Sequence, residues 1–307
     1  MLNEFRVDDI EAWRSLCPDL HVEGNLACPT FEFGDVDELV REIRIEGYVN
    51  VPNVLPESLF GPLRRCVELL YQSEILLPFT FVYDEFWFAY QGAARLLSAV
   101  LGPGYRALPD FWTWRVPAAD TGAGWGPHRD RVQPTLDADN SPHSLTVWLP
   151  FSDATPLNGC MYVLPAHHDE RFRDRVFDGP GNNQVTDPHS IRAVPATAGS
   201  FLAWNQALLH WGGRGSRLGA APRISAAFEF QRGDRQPYNQ PLLDPARLPS
   251  FQERLGLIGK QVLQYQHMYP LQPEMERIAI DLRDRFLPLV AANAPTTFGL
   301  VGGMPGL

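Results

Sequence analysis

SLTVWLPFSDATPLNGCMYVLPA, residues 144–166, holds two short apolar runs rich in β-branched and aromatic residues, split by a segment of Asp, Pro and Asn-Gly. The same texture recurs on either side, in DFWTWRV from Asp110, GSFLAWN from Gly199 and RISAAFEFQ from Arg223. Short runs of this composition, bounded by Gly, Pro, Asn and Asp, have the pattern of strands joined by turns. The intervening helices that a βαβ fold requires are missing from the pattern between Tyr105 and Gln231. The expectation is therefore an all-β core of sandwich or jelly-roll type.

Outside this core the periodicity changes. Val36 to Glu46 reads as a helix and GYVNVPNV from Gly47 as a strand. Pro56 to Tyr71 reads as an amphipathic helix with Leu59, Leu63, Val67 and Leu70 on one face, and a third helix is expected over Gln91 to Leu101. After Arg232 the chain is Pro-rich, and Glu253 to Tyr269 and Pro273 to Leu289 read as helices. One domain over residues 1–307 is expected: a mixed α/β part (1–104), the jelly-roll core (105–232) and a helical part (233–307) packing on it.

With 307 residues, 45% of them hydrophobic, the chain can bury a sizeable core. Lys and Arg number 26 against 36 Asp and Glu, for a net charge of -10, and the bases form no block. That balance argues against nucleic acid and anionic membranes as partners and leaves a small molecule. No apolar run approaches the roughly 18–20 residues of a membrane span, and MLNEFRVDDIEAW lacks a signal peptide's basic and apolar stretches, so a cytoplasmic protein is expected. Cys17, Cys28, Cys66 and Cys160 form no CxxC pair, which suggests simple thiols rather than disulfides or a thiolate zinc site.

The chemistry concentrates in GWGPHRDRV. His128 and Asp130 stand two apart, and side chains at i and i+2 of an extended strand share a face. LLHWGG supplies His210 about eighty residues later. Two imidazoles and a carboxylate on one face of a metal leave positions open for co-substrates, as in non-haem Fe(II) oxygenases. An HxD pair alone is a weak signal. It gains weight from APRISAAFEF, where Arg223 and Ser225 again stand two apart. A guanidinium fork grips a carboxylate bidentately and a serine adds a hydroxyl donor, chemistry suited to the distal carboxylate of 2-oxoglutarate.

These residues sit within a wider likeness. From about Gly47 to Phe230 the sequence resembles the phytanoyl-CoA dioxygenase-like family of Fe(II)/2-oxoglutarate oxygenases, in the family's order: GYVNVPNVLPESL, PHRD, LTVWLPFSDATPLNGCMYVLPAHH, and AGSFLAWNQALLHWGG leading to PRIS. The resemblance implies a double-stranded β-helix, a jelly-roll relative of the cupins, with flanking helices. It implies Fe(II) held by His128, Asp130 and His210, and 2-oxoglutarate held by Arg223 with Ser225. It implies O2 as co-substrate and hydroxylation of an unactivated C–H of a small molecule, with release of succinate and CO2. Desaturation, epoxidation and rearrangement by the same cofactors remain open. Related halogenases carry Gly or Ala where this chain has Asp130, so halogenation is disfavoured. Asn158 and Gly159 correspond to a tight turn between core strands.

Two readings from other classes compete: a cupin-like protein that binds a metal or small acid without turnover, and a zinc hydrolase. Arg223 with Ser225 weighs against the first. Against the second, no separate general base stands at a recognisable spacing.

Substrate clues are few. Trp112 and Trp125 are candidates for an aromatic pocket wall, whereas most of PFTFVYDEFWFAY reads as core. The loop HWGGRGSRLGAAPR departs from the HGSGPN common in the family, which makes Trp211 and Arg214 candidate pocket residues. Arg129, Arg131, Arg171, Arg173, Arg175 and Arg217 read as a solvated face, and His143, His167, His168 and His189 as loop residues rather than ligands. A free natural-product or amino-acid-like substrate is expected on so acidic a chain, rather than a CoA thioester.

Overall fold

The computed structural model describes residues 5–118, 124–131, 133–173, 183, 185, 187–268 and 270–295. Arg175 lies outside them. Helix α1 (Ile10–Leu16) starts where Asp9 accepts a hydrogen bond from the Glu11 amide. Helix α2 (Val36–Glu46) has the span read from its periodicity. Asp35 caps it through the Glu38 amide, acidic side chains fill its first turn, and Gly47 ends it in the left-handed region at φ 87°. A Cβ on Gly47 would lie 2.8 Å from Leu208, so only glycine fits both the turn and the packing.

Strand β1 (Tyr48–Val51) and helix α3 (Glu57–Gln72) follow as expected. The aromatic stretch after them folds into a 3-10 turn over Leu77–Val82 and a buried helix α4 (Asp84–Gln91), neither of which was foreseen. A helix buried all round carries no 3.6-residue stripe to read. As a result, the helix expected over Gln91 to Leu101 is shorter, α5 (Ala94–Leu101).

The core strands are β2 (Arg106–Val116), β3 (Ser144–Pro150), β4 (Met161–Leu164), β5 (Arg192–Val194), β6 (Phe201–Asn205), β7 (Leu209–Gly212) and β8 (Arg223–Gln231). They form two antiparallel sheets, one in the order β1-β6-β3-β8-β2 and the other β5-β4-β7. Both faces of the larger sheet are buried, which explains its near-continuous apolar runs. Leu145, Val147, Leu149, Phe201, Ile224 and Phe228 pack outward against the helices. Trp148, Leu202, Trp204 and Ala227 pack inward, toward Met161, Val163 and Val194 of the smaller sheet.

The helix-side core is continuous from Trp13 through Leu145 to Val290. Phe81 sits 4.3 Å from Phe111 and 5.9 Å from Phe228, ring to ring, so the aromatic stretch of residues 78–90 serves as the packing layer behind the sheet. Helices α6 (Phe251–Gln264) and α7 (Pro273–Ala292) pair with each other and close the same side. A capping box between Ser250 and Glu253 starts α6. Among the described residues no helix is long and apolar enough to cross a membrane. The four cysteines are free thiols, with Cys28 exposed and the others buried.

Candidate metal centre

His210 lies on β7, the strand of the smaller sheet that pairs with β4. His128 meets it through an isolated antiparallel bridge, with N–H···O bonds of 3.0 Å in both directions. The sequence expectation was a regular strand. The HxD segment instead has this single bridge, yet His128 and Asp130 converge on one point while Arg129 reaches Asp169 and the Ala207 carbonyl. One nitrogen from each histidine and one oxygen of Asp130 lie within 4.8 Å of one another, a spacing that could hold a metal ion. Asp130 Oδ1 is 3.7 Å from His128 Nε2 and 3.4 Å from His210 Nε2.

Each of these side chains is oriented from behind. His128 Nδ1 lies 2.9 Å from the Gly126 carbonyl, and His210 Nδ1 lies 3.0 Å from that of Leu208. A carbonyl can only accept, so the proton belongs on Nδ1 and the Nε2 lone pairs face the shared point. Asp130 Oδ2 accepts from the Thr146 hydroxyl at 2.6 Å and from Trp204 Nε1 at 2.8 Å, leaving Oδ1 for the imidazoles. Gln206 Nε2 donates to Thr146 Oγ1 at 3.1 Å and extends the support.

The electrostatics follow. Burial opposes ionisation of Asp130, but the two imidazoles and the Thr146 hydroxyl overcome it and hold the carboxyl well below the usual range. Burial lowers the pKa of His128, with His210 adding to the effect. For His210, Asp130 outweighs burial and raises the pKa. Metal binding requires an ionised carboxylate and neutral imidazoles, and the first condition is already secured.

Arg223 opens β8 and Ser225 follows on the same face, and both are buried. Arg223 Nη1 donates to the Gly159 carbonyl at 2.6 Å, and its guanidinium lies 5.7 Å from the Trp148 ring centre. Asn158 braces the Gly159 turn by accepting from the Thr155 amide at 2.7 Å and donating to the Asp153 carbonyl at 2.8 Å. Ser225 Oγ is buried without a hydrogen-bond partner among the described residues. A lone buried hydroxyl on the face of a buried guanidinium fits an anionic ligand such as a carboxylate.

The remaining candidates separate into groups. Trp112 and Trp125 line a cavity of about 860 Å³ together with Trp114, Leu77, Val262 and Met268. Trp211 alternates with His210 along β7 and stacks on Tyr162 at 5.9 Å, on the strand face opposite the triad. Arg214 is exposed. The structure does not bring these two together with the ligands.

Arg129 and Arg131, expected on a solvated face, are enclosed. Arg129 bonds Asp169 at 2.7 Å and the Ala207 carbonyl at 2.5 Å. Arg131 pairs with Glu229 and Asp110 and bonds Gln206 at 3.1 Å. Their spacing beside the ligands was visible, but their partners come from distant segments. Arg171, Arg173 and Arg217 are exposed. His143, read as a loop residue rather than a ligand, is buried beside Asp137 at 2.9 Å. Sequence reading also missed Thr146 and Trp204, whose signal was inward alternation on β3 and β6.

A jelly-roll-type core of antiparallel sheets with a His-Asp-His cluster agrees with the fold of iron- and 2-oxoglutarate-dependent oxygenases. Residues 67–217, just under half of the chain, match the family model described as phytanoyl-CoA dioxygenase (PhyH). The match includes the triad and ends before Arg223. Comparison with curated proteins finds no match. Among solved structures, the epimerase SnoN in complex with Fe3+, alpha ketoglutarate and nogalamycin RO is 19% identical, with a TM-score of 0.52, over 70% of this chain and 94% of that one. The non-heme monooxygenase ThoJ in its nickel complex is 19% identical, with a TM-score of 0.53, over 75% and 97%. The alpha ketoglutarate dependent carbocyclase SnoK from nogalamycin biosynthesis is 17% identical, with a TM-score of 0.51, over 71% and 100%. These likenesses establish a shared fold.

Proposed function

We propose that this protein is an Fe(II)- and 2-oxoglutarate-dependent dioxygenase that hydroxylates an unactivated C–H of a small natural-product or amino-acid-like molecule. The observation that carries this reading is the conjunction, on the inner side of one β core, of the preoriented triad with the buried Arg223–Ser225 pair. A metal-binding protein without turnover has no need of a buried guanidinium and hydroxyl pair on the same inner side.

In this reading His128 Nε2, His210 Nε2 and Asp130 Oδ1 would hold Fe(II), while Arg223 and Ser225 would hold the distal carboxylate of 2-oxoglutarate. When bound, iron and 2-oxoglutarate supply the oxidising power drawn from O2, with succinate and CO2 as by-products. The chain supplies position and dryness. With Asp130 as a ligand, the place that a halide would need would be taken, which favours oxygen insertion. Trp112, Trp125 and the roughly 860 Å³ cavity they border suit an apolar substrate surface. Which carbon reacts depends on how that surface seats the substrate, so desaturation, epoxidation and rearrangement lie within reach of the same residues. The continuous helix-side core supports treating residues 1–307 as one catalytic domain. Free thiols suit a reducing, cytoplasmic setting.

The test is anaerobic addition of Fe(II) and 2-oxoglutarate, which should produce the weak visible charge-transfer band of the chelate. A folded protein that gives no band sinks the assignment. Asp130→Ala should abolish succinate formation while the fold persists.

A further inference from the structure

We infer that Trp114 is a third donor to the distal carboxylate of 2-oxoglutarate, acting beside Arg223 and Ser225; this rests on the 2-oxoglutarate reading above. Trp114 on β2 lies directly opposite Ser225 on β8. Residues so paired on antiparallel strands point to the same face, with Cβ atoms roughly 4.5–5.5 Å apart. Thr113, its neighbour in the chain, bonds Thr80 at 2.8 Å on the helix-covered side, so Trp114 turns toward the inside of the β core. Val116 pairs with Arg223 at the next position on that face.

The indole Nε1 of Trp114 is buried and has no hydrogen-bond partner among the described residues, as is true of the Ser225 hydroxyl across from it. A buried indole N–H ordinarily finds an acceptor, and a cross-strand pair of unmatched donors beside a guanidinium calls for one shared anion. The surroundings hold the ring in place. Trp125 packs edge-on against Trp114 at 5.8 Å and 74°. A Cβ on Gly212 would stand 3.3 Å from Arg223 Nη1 and 3.6 Å from Trp125 Cε3, so Trp125 and the guanidinium converge on one point. A carboxylate has about four lone-pair directions, enough for the guanidinium fork, the hydroxyl and the indole N–H together. The Trp114 ring also borders the roughly 860 Å³ cavity, so one residue serves the cofactor seat and the proposed substrate wall.

Trp114→Phe keeps a ring and removes the donor. Titration of 2-oxoglutarate into Ni(II)-loaded protein, followed by calorimetry, should show a Kd raised roughly tenfold, the loss expected for one hydrogen bond to a charged acceptor. 2-Oxobutyrate has the same 2-oxo acid head without the distal carboxylate, and it should bind both proteins equally. Unchanged 2-oxoglutarate affinity, or an equal loss for 2-oxobutyrate, overturns the inference. Wild-type protein that binds no 2-oxoglutarate overturns the cofactor reading itself. Should the variant fail to fold, the indole 15N–H signals of the eight tryptophans in Zn(II)-loaded wild type decide the matter. One must move with 2-oxoglutarate and stay still with 2-oxobutyrate; if none does, the role is lost.

Discussion

The hydroxyl of Thr146 donates to Asp130 Oδ2 at 2.6 Å and so fixes which carboxylate oxygen faces the two imidazoles. Losing a partner of this kind typically lowers metal affinity by about 10–100-fold. Thr146→Val should therefore weaken Co(II) binding within that range without changing the thermal midpoint appreciably, and Thr146→Ser should restore it. A Co(II) titration that leaves Thr146→Val equal to wild type removes Thr146 from the metal centre.

Arg129 and Asp169 form a buried pair, with side chains 2% and 5% exposed. Removing one member leaves a buried charge, at a cost of roughly 3–5 kcal/mol, whereas replacing both by apolar groups of similar volume is often close to neutral. Arg129→Met should lose about that much in urea unfolding, and the double variant Arg129→Met with Asp169→Leu should recover most of it. Additive losses in the double variant would show that the two residues do not act as a pair.

Arg223→Ala should raise the 2-oxoglutarate KM by at least tenfold while kcat at saturation falls less, because the guanidinium binds without touching the reacting atoms. An unchanged KM would place the anchor elsewhere.

Glu253 gives a prediction in pH. Burial alone would raise its pKa, but bonds from Arg247, Asn293 and the Ser250 amide lower it to about 2 from an ordinary 4.5. A carboxyl depressed in the folded state stabilises above its unfolded value and loses that contribution as pH falls through the folded one. The stability gap between wild type and Glu253→Gln should thus be widest above pH 4.5 and shrink toward pH 2, read from unfolding midpoints. A gap that stays constant through that window would rule out an ionised Glu253 as its source.

How much was legible depended on whether the signal was local. The cap at Asp35 and the stop at Gly47 are written within a dozen residues, and α2 has the bounds its sequence suggests. HxD was legible for the same reason, since spacing of two gives a shared face in any extended backbone, strand or not. The helix α4 was not, because a segment buried on every side shows no periodicity. Arg129 and Arg131 were placed on a solvated face because charge alone predicts exposure. Asp169, forty positions from Arg129, and Glu229, ninety-eight from Arg131, reverse that.

The sequence by itself determined the β-core texture, the identity of the three candidate ligands and the Arg-Ser pair, all of which are matters of residue type and short spacing. Tertiary structure alone decided that His210 bridges His128, that Thr146 and Trp204 take one oxygen of Asp130, and that Trp114 faces Ser225. Those relations join strands far apart in the chain. Only strand register and sheet order can set them against one another, because no local pattern encodes which residue a distant strand will set opposite.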